Sequence, residues 1–174
     1  MTTTFIVEPA GREDVESCAV MLTALFRLER DFRPGWETQI RGLQLLFSSP
    51  LAHVAVAREG EAVIGMATGQ LVVSTAEGGY SVWVEDVFVL PGKRRSGVGR
   101  ALLDEIERWG CSYGATRLQL VADKGNLPAG RFYQKQGWQV LHLNVHRKPC
   151  VPTGKIRQFH RRRRARGQTA AGRV

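Results

Sequence analysis

Two stretches of this chain bring together residue types that could do chemistry. In the first, Glu85 and Asp86 stand side by side inside the apolar run Val82-Trp83-Val84-Glu85-Asp86-Val87-Phe88-Val89. Val82 and Val84 occupy even positions, whereas Val87 and Val89 occupy odd ones. A strand alternates faces with period two, so a slip in mid-run predicts a bulge, which leaves backbone N–H and C=O groups unpaired and open to a ligand. In the second stretch, Lys93-Arg94-Arg95-Ser96-Gly97-Val98-Gly99-Arg100 follows Pro91-Gly92 and leads into a segment with Leu102, Leu103, Ile106, Trp109 and Tyr113 on one helical face. Glycines at a helix N-terminus let backbone N–H groups close on an anion at the positive end of the helix dipole. The basic cluster adds matching charge.

The two common nucleotide signatures fail here. A Walker loop needs Lys-Ser/Thr after its second glycine, where this chain has Val98-Gly99, and a dinucleotide fingerprint needs Gly or Ala where Leu102 stands. The turn instead resembles the acetyl-CoA signature of the GCN5-related N-acetyltransferase (GNAT) family, Arg/Gln-x-x-Gly-x-Gly/Ala, through Arg94, Gly97 and Gly99. Downstream, Asn126-Leu127-Pro128-Ala129-Gly130-Arg131-Phe132-Tyr133-Gln134-Lys135-Gln136-Gly137-Trp138 resembles that family's Asn-x-x-Ala-x-x-Phe-Tyr-x-x-x-Gly-Phe block, with Trp138 at the last aromatic position.

The resemblance implies an α/β domain with the acetyltransferase fold, a mixed, splayed β-sheet flanked by helices, and acetyl-CoA as co-substrate. By the same likeness, backbone of Val87, Phe88 and Val89 pairs with the pantetheine arm. Arg94, Arg95, Ser96, Gly97, Val98, Gly99 and Arg100 surround the pyrophosphate, and Asn126 steadies the arm farther along. The reaction implied is transfer of an acetyl group to a primary amine by direct attack in a ternary complex. Such an amine arrives as an ammonium with a pKa of about 10.4 and must lose a proton before it can attack. Glu85, at the inferred bulge, is the expected base, with Asp86 sharing the task or holding the cation; alternation alone does not say which carboxylate points inward. Tyr133, whose phenol has an ordinary pKa of about 10, is the expected proton donor to the departing sulfur.

The acceptor reads as a small cationic amine. Trp83-Val84-Glu85-Asp86 resembles the Glu-Asp segment of polyamine acetyltransferases, and Val145-His146-Arg147-Lys148-Pro149 resembles the ending of aminoalkylphosphonate acetyltransferases. A protein lysine or N-terminus is the alternative acceptor. A non-catalytic CoA-sensing or RNA-binding module is the alternative of another class.

These residues need a scaffold, and a chain of 174 residues suffices for one core. Its element order reads β-α-α-β-β-β-α-β-α-β: a strand at Thr4–Val7, helices led by Val15 and Trp36, strands at Leu51–Ala57, Ala62–Val73 and the bulged run, the turn's own helix, a strand at Arg117–Ala122, a helix carrying Phe132 and Tyr133, and a last strand at Trp138–His146. Gly65 and Gly69 predict bends or close backbone approach. His53, with no partner in sequence, reads as a structural histidine.

The net charge of +9 is concentrated at one end. Residues 149–174 hold eight basic residues and no acidic one, leaving 25 − 8 = 17 basic against 16 acidic in residues 1–148. The expected division is therefore an N-acetyltransferase domain, 1–148, and a basic, disordered tail, 149–174, which is the one place where nucleic acid would bind. Three cysteines, Cys18, Cys111 and Cys150, are too few and too scattered for a disulfide framework or a metal site, so no metal is expected. No signal peptide or apolar run of spanning length occurs, which points to a cytoplasmic protein without membrane partners; a homodimer is left open.

Overall fold

The computed structural model describes residues 4–29 and 31–150. The described residues up to Leu141 make one compact unit, and the described residues 142–150 belong to a second. The basic tail lies outside the described residues from position 151 on.

In the first unit the chain runs β1 (Ile6–Pro9), a 3-10 turn (Arg12–Asp14), α1 (Val15–Phe26), α2 (Trp36–Ser48), β2 (Ala52–Glu59), β3 (Ala62–Ser74), β4 (Gly79–Val89), a second 3-10 turn (Pro91–Lys93), α3 (Val98–Ser112), β5 (Leu118–Leu120) and α4 (Leu127–Lys135). The strands lie in chain order, with the first three junctions antiparallel and β4–β5 parallel. Short turns join β2 to β3 and β3 to β4, α1 and α2 lie between β1 and β2, and the parallel pair needs a crossover, which α3 supplies.

Alternation along β2 assigns the two faces of the sheet. Val54 and Val56 pack with Cys18, Ala19, Met21, Leu22 and Leu43 of α1 and α2, whereas Ala55 and Ala57 pack with Leu102, Leu103 and Ile106 of α3. Small residues on the second face bring α3 close. A Cβ at Gly69 would lie 2.8 Å from Ile106 Cγ2, and one at Gly110 would lie 2.3 Å from Val82 Cγ2. Gly69 thus serves close approach, as its place in a strand predicts.

One expected element is missing. Residues 138–150 carry no helix or strand, so the strand read over Trp138–His146 is absent. Leu141, Leu143 and Val145 alternate, yet all three are exposed. Alternation makes a segment capable of being a strand, but a ladder also needs a neighbouring edge, and the edge strand β5 is three residues long.

Candidate active site

The slip in the apolar phase of β4 is a bulge. Met66 pairs with Phe88 and Thr68 with Glu85, so three steps along β4 answer two along β3. Asp86 absorbs the mismatch with φ 54°, a left-handed conformation that Asp tolerates better than most residues. The phase reverses across it. Val82 and Val84 belong to the cluster under α3, as do Val87 and Val89, whereas Phe88 turns to the α1–α2 side.

The bulge separates the two carboxylates. Glu85, the expected base, is exposed and accepts from Gln70 Nε2 at 3.2 Å. Asp86 turns inward, where Thr68 Oγ1 donates to its Oδ2 at 3.3 Å. Burial pushes the Asp86 carboxyl up to about 6, and the neighbouring charges of Glu85 and Glu29 act in the same direction, against the Thr68 hydrogen bond. The inward-turned, half-buried carboxylate is therefore Asp86, because one left-handed residue exchanges the faces that simple alternation would assign.

Beyond β4 the glycine-rich turn has the geometry for an anion. Gly97 caps α3 in the left-handed region at φ 91°, and a Cβ there would meet no atom of the fold, so conformation rather than crowding calls for glycine. The helical ladder starts with Ala101 N donating to Gly97 O at 3.0 Å, leaving the N–H groups of Val98, Gly99 and Arg100 without intrahelical acceptors. Gly99 has a different reason to be small. A Cβ there would lie 3.2 Å from Phe132 Cζ, so this glycine seats α4 against the first turn of α3.

Lys93, Arg94 and Arg100 of the turn are already engaged. Lys93 pairs with Glu59, and Arg100 Nε lies 3.6 Å from Asp104 Oδ2. Arg94 Nε donates to Val89 O at 3.0 Å, with its guanidinium over the Phe88 ring. Arg95 and Ser96 are exposed, and Arg95 takes φ 62°. An exposed pair such as Arg100–Asp104 is worth about 0–1 kcal/mol, so an arriving phosphate could recruit the arginine cheaply.

A slot opens between the central strands. β4 and β5 pair only at Val82–Leu118, Trp83–Gln119 and Val84–Leu120. From Glu85 to Val89 the β5-side edge of β4 has no strand partner among the described residues. A ligand with amide groups could hydrogen-bond there as an added strand would. Asn126 lies past β5 and caps α4, its Oδ1 accepting from Ala129 N at 3.2 Å.

Tyr133 projects from α4 into an aromatic cluster, its ring centroid 5.2 Å from that of Phe132 and 5.8 Å from that of Trp138. Burial raises its pKa above the usual phenol value, and the charge of Glu29 raises it further. The hydroxyl therefore keeps its proton at neutral pH.

Glu29, just past α1, is the residue that sequence reasoning missed. Its charge acts on both Asp86 and Tyr133, and its own pKa is raised by burial, then by Asp123 and Asp31. No local signal marks it, because an acid in a charged segment after a helix resembles any solvated surface residue. Phe32 and Trp36, also past α1, are each 48% exposed, and Phe32 stacks on Phe26.

A glycine-capped helix N-terminus beside an unpaired strand edge suits a ligand with a phosphate end and an amide-bearing arm, and comparison identifies the family. The pattern described as Acetyltransferase (GNAT) family matches residues 22–138. The chain belongs to the GNAT acetyltransferase family. Among solved structures, a transcriptional regulator from Bacillus halodurans C-125 is similar at 23% identity with TM-score 0.73, over 83% of this chain and 99% of that one. A possible acetyltransferase from Clostridium difficile 630 is similar at 16% identity with TM-score 0.74, over 84% and 98%. AAC(6')-Iy in complex with a CoA bisubstrate analogue is similar at 18% identity with TM-score 0.72, over 84% and 99%. No curated protein matches. At these identities the structures share the fold. As a GNAT acetyltransferase the protein is an acyl-CoA-dependent N-acetyltransferase that uses acetyl-CoA. Among the described residues no helix is long and apolar enough to cross a membrane.

Proposed function

We propose that this GNAT enzyme acetylates a primary amine of a small cationic molecule, with Asp86 taking the proton from the incoming ammonium and Tyr133 protonating the departing sulfur. The observation that carries this reading is the half-buried, left-handed Asp86, which turns inward onto Thr68 and shares the electrostatic influence of Glu29 with Tyr133. The N–H groups of residues 98–100, with Arg94, Arg95 and Ser96, would hold the pyrophosphate, Gly97 giving the turn its shape. The free edge at Val87–Val89 would pair with the pantetheine arm, and Asn126 would steady it.

Acetyl-CoA supplies the thioester that is the acyl donor. Asp86 accepts one proton as the ammonium becomes a free amine. The amine nitrogen then bonds to the acyl carbon, the carbon–sulfur bond breaks, and the nitrogen gives up its second proton to solvent. Tyr133 gives the sulfur a proton and is restored by the one Asp86 accepted, so one proton is released per turnover. A carboxyl at about 6 rather than 3.8 narrows the gap to a lysine-like amine by about 3 kcal/mol while staying about nine-tenths ionised at pH 7.

Substrate charge follows from the acids around the site. Glu85 and Glu29 both act on Asp86, and Asp123 and Asp31 both act on Glu29. Clustered carboxylates in a partly desolvated site concentrate cations and repel anions. AAC(6')-Iy, similar in fold, is an aminoglycoside N-acetyltransferase, which fits a polycationic acceptor here. Free thiols at Cys18, Cys111 and Cys150 fit a reducing compartment such as the cytoplasm.

The test is CoA thiol release with a panel of polyamines, aminoglycosides, monoamines and lysine peptides. The reading expects release with small polycationic amines first. Faster release with lysine peptides would move the acceptor to protein, and no release with any amine would leave a CoA-binding module.

A further inference from the structure

Five polar or charged residues of the described chain are buried: Asp14, Gln39, Thr68, Ser74 and Ser81. Thr68 is fully buried in the middle of β3, where the β-branched shape suits a strand but the hydroxyl needs a reason. Valine would fill the same space without a polar atom. The one hydrogen bond of this hydroxyl among the described residues goes to Asp86 Oδ2, and Thr68 is also the residue at which the β3–β4 register resumes after the bulge.

Resting on the proposed role of Asp86, we infer that Thr68 is a positioning residue, whose hydroxyl orients the Asp86 carboxylate and keeps it ionised for proton transfer. Every other influence on Asp86 opposes ionisation: burial, Glu85 one residue away, and Glu29 from the segment after α1. Thr68 is the donor that counters them. The cationic groups near this face do not compete for the role, because Arg58 is committed to Glu8 and Asp14, and Arg94 lies on Val89 O. The bulge and the hydroxyl act together: the left-handed turn brings the carboxylate inside, and the hydroxyl fixes one of its oxygens, leaving the other to accept a proton.

Thr68→Val removes the hydroxyl and keeps the shape. The ¹³C-carboxyl titration of Asp86 in the full chain, assigned by its disappearance in Asp86→Asn, reads the effect without any substrate. Thr68→Val should move this titration up by about one pH unit, and Thr68→Ser should return it towards wild type. The acid limb of kcat/KM for the best amine of the panel should move with it, lowering the rate about tenfold below the limb and little at pH 9. KM for acetyl-CoA should stay within twofold. A titration of Asp86 unmoved in Thr68→Val overturns the inference. If that variant does not fold, Thr68→Ala, which also lacks a donor, replaces it, with the same outcome decisive. A titration that moves while the acid limb stays in place overturns it differently, by showing that Asp86 is not the proton acceptor. An acid limb retained in Asp86→Asn overturns the base assignment itself and leaves acetyl transfer intact.

Discussion

His53 Nε2 lies 3.2 Å from Glu105 Oε1, joining β2 to α3 across 52 positions of sequence. The imidazole also stacks on Trp109 at 5.2 Å, and Arg108 holds the other oxygen of Glu105. Burial lowers the pKa of His53 more than Glu105 raises it, so the folded state holds the ring neutral more firmly than the unfolded chain does. A depressed histidine contributes stability that is present above its unfolded value of 6.5 and is lost as pH falls through the folded one. The melting temperature should therefore drop as pH falls below 6.5, and His53→Gln should flatten that slope. An identical slope in the variant would remove His53 from the pH dependence.

Asp86 has the opposite sign. Its folded pKa of about 6 exceeds the ordinary 3.8, so the ionised carboxylate destabilises the fold above pH 6, and the penalty disappears as pH falls towards 3.8. Asp86→Asn removes that charge and puts a residue that favours the left-handed region at φ 54°. We expect the variant to be more stable than wild type at pH 8, by up to about 3 kcal/mol, and to lose about 10²–10⁴-fold in kcat. Denaturant unfolding at pH 8 and pH 4 checks it. A less stable variant at pH 8 would mean that the charge is compensated by contacts beyond Thr68.

Gly97 holds a conformation that glycine favours, and the proposed pyrophosphate would lie against it. Acetyl-CoA should raise the melting temperature of the wild-type chain, because a ligand that binds the folded state alone stabilises it by mass action. Gly97→Glu forces a side chain into φ 91° and sets a negative charge at the N-terminus of α3, so the ligand-induced shift should vanish. Thermal melts with and without acetyl-CoA decide the point, and a retained shift would move the pyrophosphate elsewhere.

Tyr133→Phe deletes one oxygen from a half-buried aromatic cluster and leaves the ring contacts with Phe132 and Trp138 in place. Turnover should fall by about 10²-fold, within the usual range for general acids, while the acetyl-CoA melting shift stays near wild type. Full turnover in this variant would return Tyr133 to a packing role.

Much of the site was legible because its signals are local. The bulge could be read from the slip between Val84 and Val87, since period-two alternation records which face each residue takes. The turn at Gly97 could be read for the same reason, as a left-handed cap leaves its mark on one residue type. By themselves, the residues of the chain therefore determined the order of elements through α4, the bulge and the glycine-capped turn before α3. Only the tertiary structure decided the rest. It turned Asp86 rather than Glu85 inward through one backbone angle, brought Glu29 into the electrostatic reach of Asp86 and Tyr133, and explained Gly99 through Phe132 on another helix. It also withheld the last strand from Leu141, Leu143 and Val145. Each of these depends on a partner far along the chain, and alternation or composition within a short window carries no record of which distant residue will stand opposite.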